Sequence, residues 1–390
     1  MNAVVLFEEI QCSGGSKIGV ATLNTPQTLN GLSREMNKML DEKLIQWAKD
    51  PALAVVVFRG AGDKAFCAGG DLHHLYQSML ENAGQPGLYN AYASAFFSEE
   101  YRLDYRIHTY PKPILCWGDG IVMGGGMGLM GGASHRVVTE TSRLAMPEIT
   151  IGLFPDVGGT WMMNQLPGRL GLFLALTGAQ FGAADALFMG MADYCIPRGE
   201  WDNLIKSMQT QTWESESVEA STDRSCRPVS VNDERLHRLL SAISSTANLT
   251  TGPIRQHIDL IQHCCGGHDL EIIVANILNL SSHEDAWLQR AAKTLKAGSP
   301  GSARLSYALL RKGKHLSLAQ VFRMEYIAAL ACACHGDFQE GIRALLIDKD
   351  KQPKWNPSTL HEASEAWVEK FFMPMPSGMQ HPLHDLGDNV

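Results

Sequence analysis

In the first half of the chain, short runs of β-branched and apolar residues alternate with segments punctuated by glycine. Ala54 to Phe58 (AVVVF) and Pro113 to Trp117 (PILCW) read as buried strands, and Arg136 to Thr139 (RVVT) as a third. Each is followed by turn or helix-start chemistry rather than a two-residue hairpin, so the pattern predicts an α/β arrangement and not a β-sandwich. No repeat is visible in the residues themselves. From about Trp201 the pattern changes. Trp213 to Asn232 is polar and predicts an exposed connection, after which 234–247, 253–264, 269–280, 283–297 and 316–347 carry helical spacing. The chain therefore divides into a core over 1–200, a mainly helical region over 201–372 and a tail over 373–390 whose Pro, Gly and His content predicts fraying.

Composition narrows what such a fold can do. At 390 residues the chain is long enough for one large domain with an extension or for two ordinary domains. A net charge of −8 excludes a mainly electrostatic grip on nucleic acid or an anionic membrane, so a phosphate-bearing ligand needs a local basic pocket. No run of apolar residues is long enough to span a bilayer, and MNAVVLFEEI carries neither a secretory nor a transit pattern, which predicts a cytoplasmic protein. The nine cysteines form no CxxC pair and no zinc-spaced cluster with histidine, so reduced thiols and no metal site are expected. The fourteen histidines are scattered and read as surface or core residues.

Three glycine-rich segments carry candidate chemistry. In KAFCAGGDL, Lys64 to Leu72, two consecutive glycines bring backbone N–H groups close to a ligand, or make a tight turn before an Asp71 helix cap. In GDGIVMGGGMGLMGG, Gly118 to Gly132, a helix starting at Gly124 to Gly126 aims free N–H groups at whatever lies in front of it; close helix packing is the other reading. Neither a dinucleotide fingerprint nor a Walker lysine is present. In MPEITIGLFPDVGG, Met146 to Gly159, Gly152 and Pro155 disfavour a continuous helix, so Glu148 and Asp156 meet only if the chain folds back. Asp156 also suits a helix N-cap, whereas a carboxylate at Glu148 among Met, Ile, Leu and Phe is costly unless it works. Two N–H donors and flanking carboxylates suit acyl chemistry, and no Ser-His-Asp set at a GxSxG elbow competes.

The ordered blocks LNTPQTLNGLSREM, VVVFRGAGDKAFCAGGDL, GDGIVMGGGMGL and PEITIGLFPDVGGT resemble the crotonase superfamily of acyl-coenzyme A enzymes. FFSEEYRL, SLAQVFRMEY and DFQEGIRALLIDKDKQPKW extend the resemblance to its hydrolase branch over nearly the whole chain. The resemblance implies a spiral of ββα units with a helical C-terminal part that completes an acyl-CoA site. It implies an oxyanion hole from the N–H groups of Gly70 and Gly125, catalysis by Glu148 and Asp156, and substrate contact by Glu100. Hydratase relatives carry a second glutamate three residues after the middle glycine of GGG; here that position is Gly128, which disfavours hydration and leaves thioester hydrolysis of a short β-hydroxyacyl-CoA. The alternatives are another hydratase or isomerase of the superfamily and a non-catalytic acyl-CoA-binding protein. Coenzyme A enters as part of the substrate, no separate cofactor is implied, and Lys349, Lys351 and Lys354 are candidate phosphate partners. Trimers and hexamers are common in the superfamily, although the helical extension could cover the usual interface of such a homo-oligomer.

Overall fold

The computed structural model describes residues 3–82, 90–215, 229–247, 249–375 and 378–387. Its larger sheet runs β1 (Val5–Gln11), β2 (Lys17–Leu23), β3 (Leu53–Gly60), β5 (Ile114–Gly118), β7 (His135–Val138), β9 (Tyr194–Cys195) in spatial order. A second sheet holds β4 (Ala65–Cys67), β6 (Ile121–Met123) and β8 (Arg143–Ala145) in that order. β1 and β2 pair antiparallel, and every other pairing is parallel. The three strands expected from the sequence are β3, β5 and β7.

Their apolar runs reflect burial on both faces, as parallel strands require. Val56, Phe58 and Cys116 point into the main core, while Val55, Val57, Leu115 and Trp117 point the other way. That second face is covered by Leu204 and Met208 of helix Trp201–Thr210 and by Leu236 and Leu240 of helix Val231–Ile243.

The chain steps from the large sheet to the small one and then into a helix three times. β3 leads to β4 and α2 (Leu72–Glu81), β5 to β6 and α4 (Gly125–Gly131), and β7 to β8 and a 3-10 turn at Glu148–Ile151. This is the ββα repeat that the resemblance implies. Before the repeat α1 (Arg34–Lys49) is capped by Ser33, whose side chain accepts from the Met36 N–H. Within it α3 (Ala91–His108) lies on the core with Phe96, Phe97, Glu100, Tyr101, Leu103, Asp104 and Ile107 buried. α5 (Gly159–Asn164) and α6 (Leu170–Thr177) follow the 3-10 turn.

The C-terminal region is helical as expected, although several segments differ in their bounds, 253–264 for one being split at His257. The span 316–347 is broken into helix Leu318–Cys332, helix Asp337–Ile342 and a π-helical turn Arg343–Ile347, the first break falling at Gly336 with φ +88°. Helix Pro300–Gly313 lies outside the segments expected to be helical; Pro300 occupies its first turn behind a Ser299 cap. These helices pack against α3, α5 and α6, and one apolar cluster runs from Leu23 and Phe154 through Leu305, Phe322 and Phe338 to Leu386. Residues from both sides of position 200 thus share that cluster.

Residues 378–387, the described part of the tail's end, are held against the rest of the chain. Leu383 and Leu386 are buried, Arg102 forms a two-pronged ion pair with Asp385, and Arg323 donates to the carbonyl of Leu386. Burial of the two leucines favours that placement. The polar connection expected over Trp213 to Asn232 falls largely on 216–228, outside the described residues.

Candidate active site

Parallel strands deliver their C-terminal ends to one edge, and all three segments singled out above follow small-sheet strands there. Gly69 and Gly70 follow β4, Gly124 and Gly125 follow β6, and Glu148 follows β8. Gly69 and Gly124 hold φ of +117° and +50°, which closes both turns tightly. The turns touch each other and the acid. A β-carbon on Gly124 would lie 3.4 Å from Gly69 Cα and 3.1 Å from Glu148 Oε1, and one on Gly125 would lie 2.6 Å from Glu100 Oε1. A β-carbon on Gly70 would meet the Phe96 ring at 2.9 Å.

Both amides expected to face a ligand are uncommitted by the local fold. The bridge between residues 32 and 70 uses the Gly69 carbonyl and the Asp71 N–H, so the Gly70 N–H stays out of it. Gly125 opens α4, where first-turn N–H groups have no acceptor within the helix. Asp71 also caps α2 by accepting from the His73 and His74 N–H groups, so the turn reading and the ligand reading coexist there. Gly124 caps α4, as the expected helix start requires.

The chain does fold back between the two acids. Gly152 takes φ +75°, and the Leu153 N–H returns to the Glu148 carbonyl at 3.1 Å. Glu148 is buried, and its Oε2 has no hydrogen-bond partner among the described residues. Burial pushes its carboxyl well above the ordinary range, and the Asp156 charge pushes it further.

Asp156 is not the helix cap that its position suggested. Gly158 is the N-cap of α5, and the Asp156 carboxylate instead accepts from the Tyr101 hydroxyl at 2.7 Å. Burial raises Asp156 to about 6, held from rising further by that hydrogen bond. The α5 N-terminus is satisfied from far away. Glu325, on helix Leu318–Cys332, accepts from the Gly158 N–H and the Thr160 N–H, each at 2.8 Å. Desolvation lifts Glu325 to about 8 against those hydrogen bonds.

Glu100 and Asp104 lie one helical turn apart on the buried stripe of α3. Glu100 Oε1 and both Asp104 oxygens lack hydrogen-bond partners among the described residues. Desolvation raises both carboxyls well above the ordinary range, helped by Asp156 at Glu100, and by Glu100 and then Asp156 at Asp104. Asp104, Tyr101 and Glu325 were missed in the sequence. The i, i+4 spacing of Glu100 and Asp104 on an apolar stripe is the signal that could have found Asp104; none was available for Glu325, which is 167 residues from Gly158.

Gly128 lies against this cluster. A β-carbon there would sit 2.7 Å from Val157 Cβ and 3.0 Å from both Asp104 oxygens. The space that a side chain at 128 would enter is therefore filled, so the missing glutamate is excluded by packing as well as absent. Asp104 brings a carboxylate to that spot from α3.

Other candidates lie elsewhere. Lys349, Lys351 and Lys354 are exposed beside Arg343, which binds Glu340, Asp348 and Asp350. A cleft of about 590 Å³ lined by His108, His135, His237 and Arg238 has the buried Asp233 in its wall but none of Glu100, Asp104, Glu148, Asp156 and Glu325. Burial lowers His108 in that cleft to about 4. The eight described cysteines are free thiols, and no described helix is long and apolar enough to cross a membrane.

Comparison with known proteins adds to this geometry. Residues 18–372 match the enoyl-CoA hydratase/isomerase family. The chain is 38% identical to the mitochondrial 3-hydroxyisobutyryl-CoA hydrolase of Danio rerio, over 94% of this chain and 89% of that protein. It is 36% identical to the same-named protein of Rattus norvegicus, over 96% and 90%. Among solved structures, a carnitinyl-CoA dehydratase from Mycobacterium thermoresistibile superposes with a TM-score of 0.80 at 34% identity, covering 96% of this chain and 98% of that one.

Proposed function

The chain belongs to the enoyl-CoA hydratase/isomerase family, and from that premise we propose that it hydrolyses the thioester of 3-hydroxyisobutyryl-CoA to 3-hydroxyisobutyrate and coenzyme A, a reaction of valine breakdown. The observation that carries this reading is the contact of Gly124 with both Gly69 and Glu148, which sets the turns bearing the Gly70 and Gly125 amides beside a buried carboxylate whose Oε2 has no hydrogen-bond partner among the described residues. In it the Gly70 and Gly125 N–H groups receive the thioester oxygen as negative charge develops, worth about 3 kcal/mol per donor. Glu148, made more basic by desolvation, attacks the carbonyl carbon or takes the proton of an attacking water. On the first route the C–S bond breaks as the coenzyme A thiolate leaves, and water then cleaves the acyl–Glu148 anhydride. Oxygen-18 appearing in Glu148 after a single turnover in labelled water, from attack of that water on the Glu148 carbonyl of the anhydride, excludes direct water attack as the only path. Asp156, oriented by Tyr101, and Glu100 hold the β-hydroxyl and the water. Lys349, Lys351 and Lys354 form the basic contact for the coenzyme A phosphates, and the helical region over 201–372 completes the acyl-CoA site.

Hydration is the second reading, favoured by the dehydratase name of the solved structure; the filled space at Gly128 argues against it. Thiol release from 3-hydroxyisobutyryl-CoA, measured beside absorbance loss of crotonyl-CoA, separates the two. Release without hydration is expected, and hydration without release overturns the proposal. As to compartment, the cytoplasmic expectation is not matched by relatives whose names carry "mitochondrial", and fractionation of cells expressing the chain decides it.

A further inference from the structure

Asp156 lies one residue before a backbone anomaly. Val157 holds φ +53°, in the left-handed region, where a β-branched residue is a genuine outlier. Such a conformation persists only when the surroundings over-determine it. The next residue, Gly158, holds φ +80°, and a β-carbon there would meet the Phe322 ring at 3.1 Å.

The surroundings are supplied by one helix of the C-terminal region. Phe322 and Glu325 both lie on Leu318–Cys332, and the Glu325 carboxylate grips the Gly158 and Thr160 N–H groups with one oxygen each. Glu325 is fully buried. Its grip has a second consequence. The N-cap residue is the ordinary source of an acceptor for the first-turn N–H groups, and Gly158 in that place has no side chain to offer one. With those groups already occupied, the Asp156 carboxylate is free to meet Tyr101 on the side of Glu100 and Glu148.

We propose that Glu325 is a positioning residue for Asp156: by capping α5 from a distant helix it pins the left-handed Val157 turn and keeps the Asp156 carboxylate turned toward the acyl site. This rests on the hydrolase reading for its kinetic consequence and on the geometry alone for its structural one. It also gives the C-terminal helices a task at the site besides packing.

The test compares wild type with Glu325→Gln and with Glu325→Gln combined with Val157→Gly, since glycine adopts φ +53° without a clamp. Glu325→Gln keeps the side-chain volume but turns one acceptor into a donor facing an N–H. It is expected to lower kcat roughly 10- to 100-fold while KM moves less than about threefold, the scale of loss for a misplaced group. The added Val157→Gly is expected to recover most of that loss, and amides 157–161 are expected to exchange with deuterium faster in Glu325→Gln than in wild type. Unchanged kcat, no recovery with Val157→Gly, or unchanged exchange overturns the proposal. If Glu325→Gln does not fold, Glu325→Asp, which reaches only one of the two N–H groups, takes its place with the same readouts. If wild type releases no thiol, the hydrolase reading fails while the exchange comparison still decides the role of Glu325.

Discussion

A glutamate at position 128 would have to displace Val157 and the Asp104 carboxylate, each within 3.0 Å of its first side-chain carbon. Gly128→Glu is therefore expected to lose stability without gaining crotonyl-CoA hydration, and Gly128→Ala to cost about 1–3 kcal/mol in denaturant unfolding as an overpacked core does. A gain of hydration in the glutamate variant would mean that the space is open. Asp104 itself is costly to the fold. Its carboxyl is raised in the folded state, so the folded state binds more protons than the unfolded one and stability falls as pH rises from the unfolded value through the folded one. Asp104→Asn cannot ionise and is expected to raise stability by about 1–3 kcal/mol at pH 8 and by little at pH 4. Equal effects at both pH values would contradict the assignment. The same burial sets the pH dependence of turnover. In the proposed mechanism the working form of Glu148 is the carboxylate, so kcat/KM should climb with pH along a limb above the ordinary carboxylate range, with apparent values that belong to the coupled cluster. Tyr101→Phe removes the donor that holds Asp156 down and is expected to move that limb upward, as a pH–rate profile will report.

At the scale of elements, β3, β5 and β7 were legible because burial on both faces writes an apolar run into the sequence, as in AVVVF, whereas β1 and β2 were not expected, β1 being largely exposed. Three residues carry no period, so β4 and β8 were not legible and β6 was so only as the strand that runs into the three glycines, yet the three converge Gly70, Gly125 and Glu148. Glycine signalled the turns because φ > 0 and close contact restrict them to that residue. The acids were only half legible. Glu148 and Asp156 stood out against apolar neighbours, whereas the N-cap reading of Asp156 failed because a distant carboxylate had taken that role. Asp104 and Glu325 sit in helices whose pattern reads as packing, and only tertiary contact gives them meaning.

Across the whole molecule, the site is built between a repeating α/β core and helices that share one apolar cluster with it. Glu325 of the helical region accordingly grips the turn bearing Asp156 in the core. The C-terminal segment belongs to the same body. Ending the chain at residue 377 removes buried Leu383 and Leu386 and the Arg102–Asp385 pair, and should lower unfolding stability by about 3 kcal/mol or more. A melting temperature unchanged by that truncation would return the segment to the status of a loose tail. The central claim is that the buried carboxylate of Glu148 carries thioester hydrolysis. It is tested most directly by thiol release from 3-hydroxyisobutyryl-CoA with wild type and Glu148→Gln. A fall of about 10³-fold or more, with melting temperature and product binding kept, is predicted for a group that acts as nucleophile or base. A fall of less than about tenfold in a folded variant would contradict it, because a loss that small lies below what general acid–base catalysis contributes.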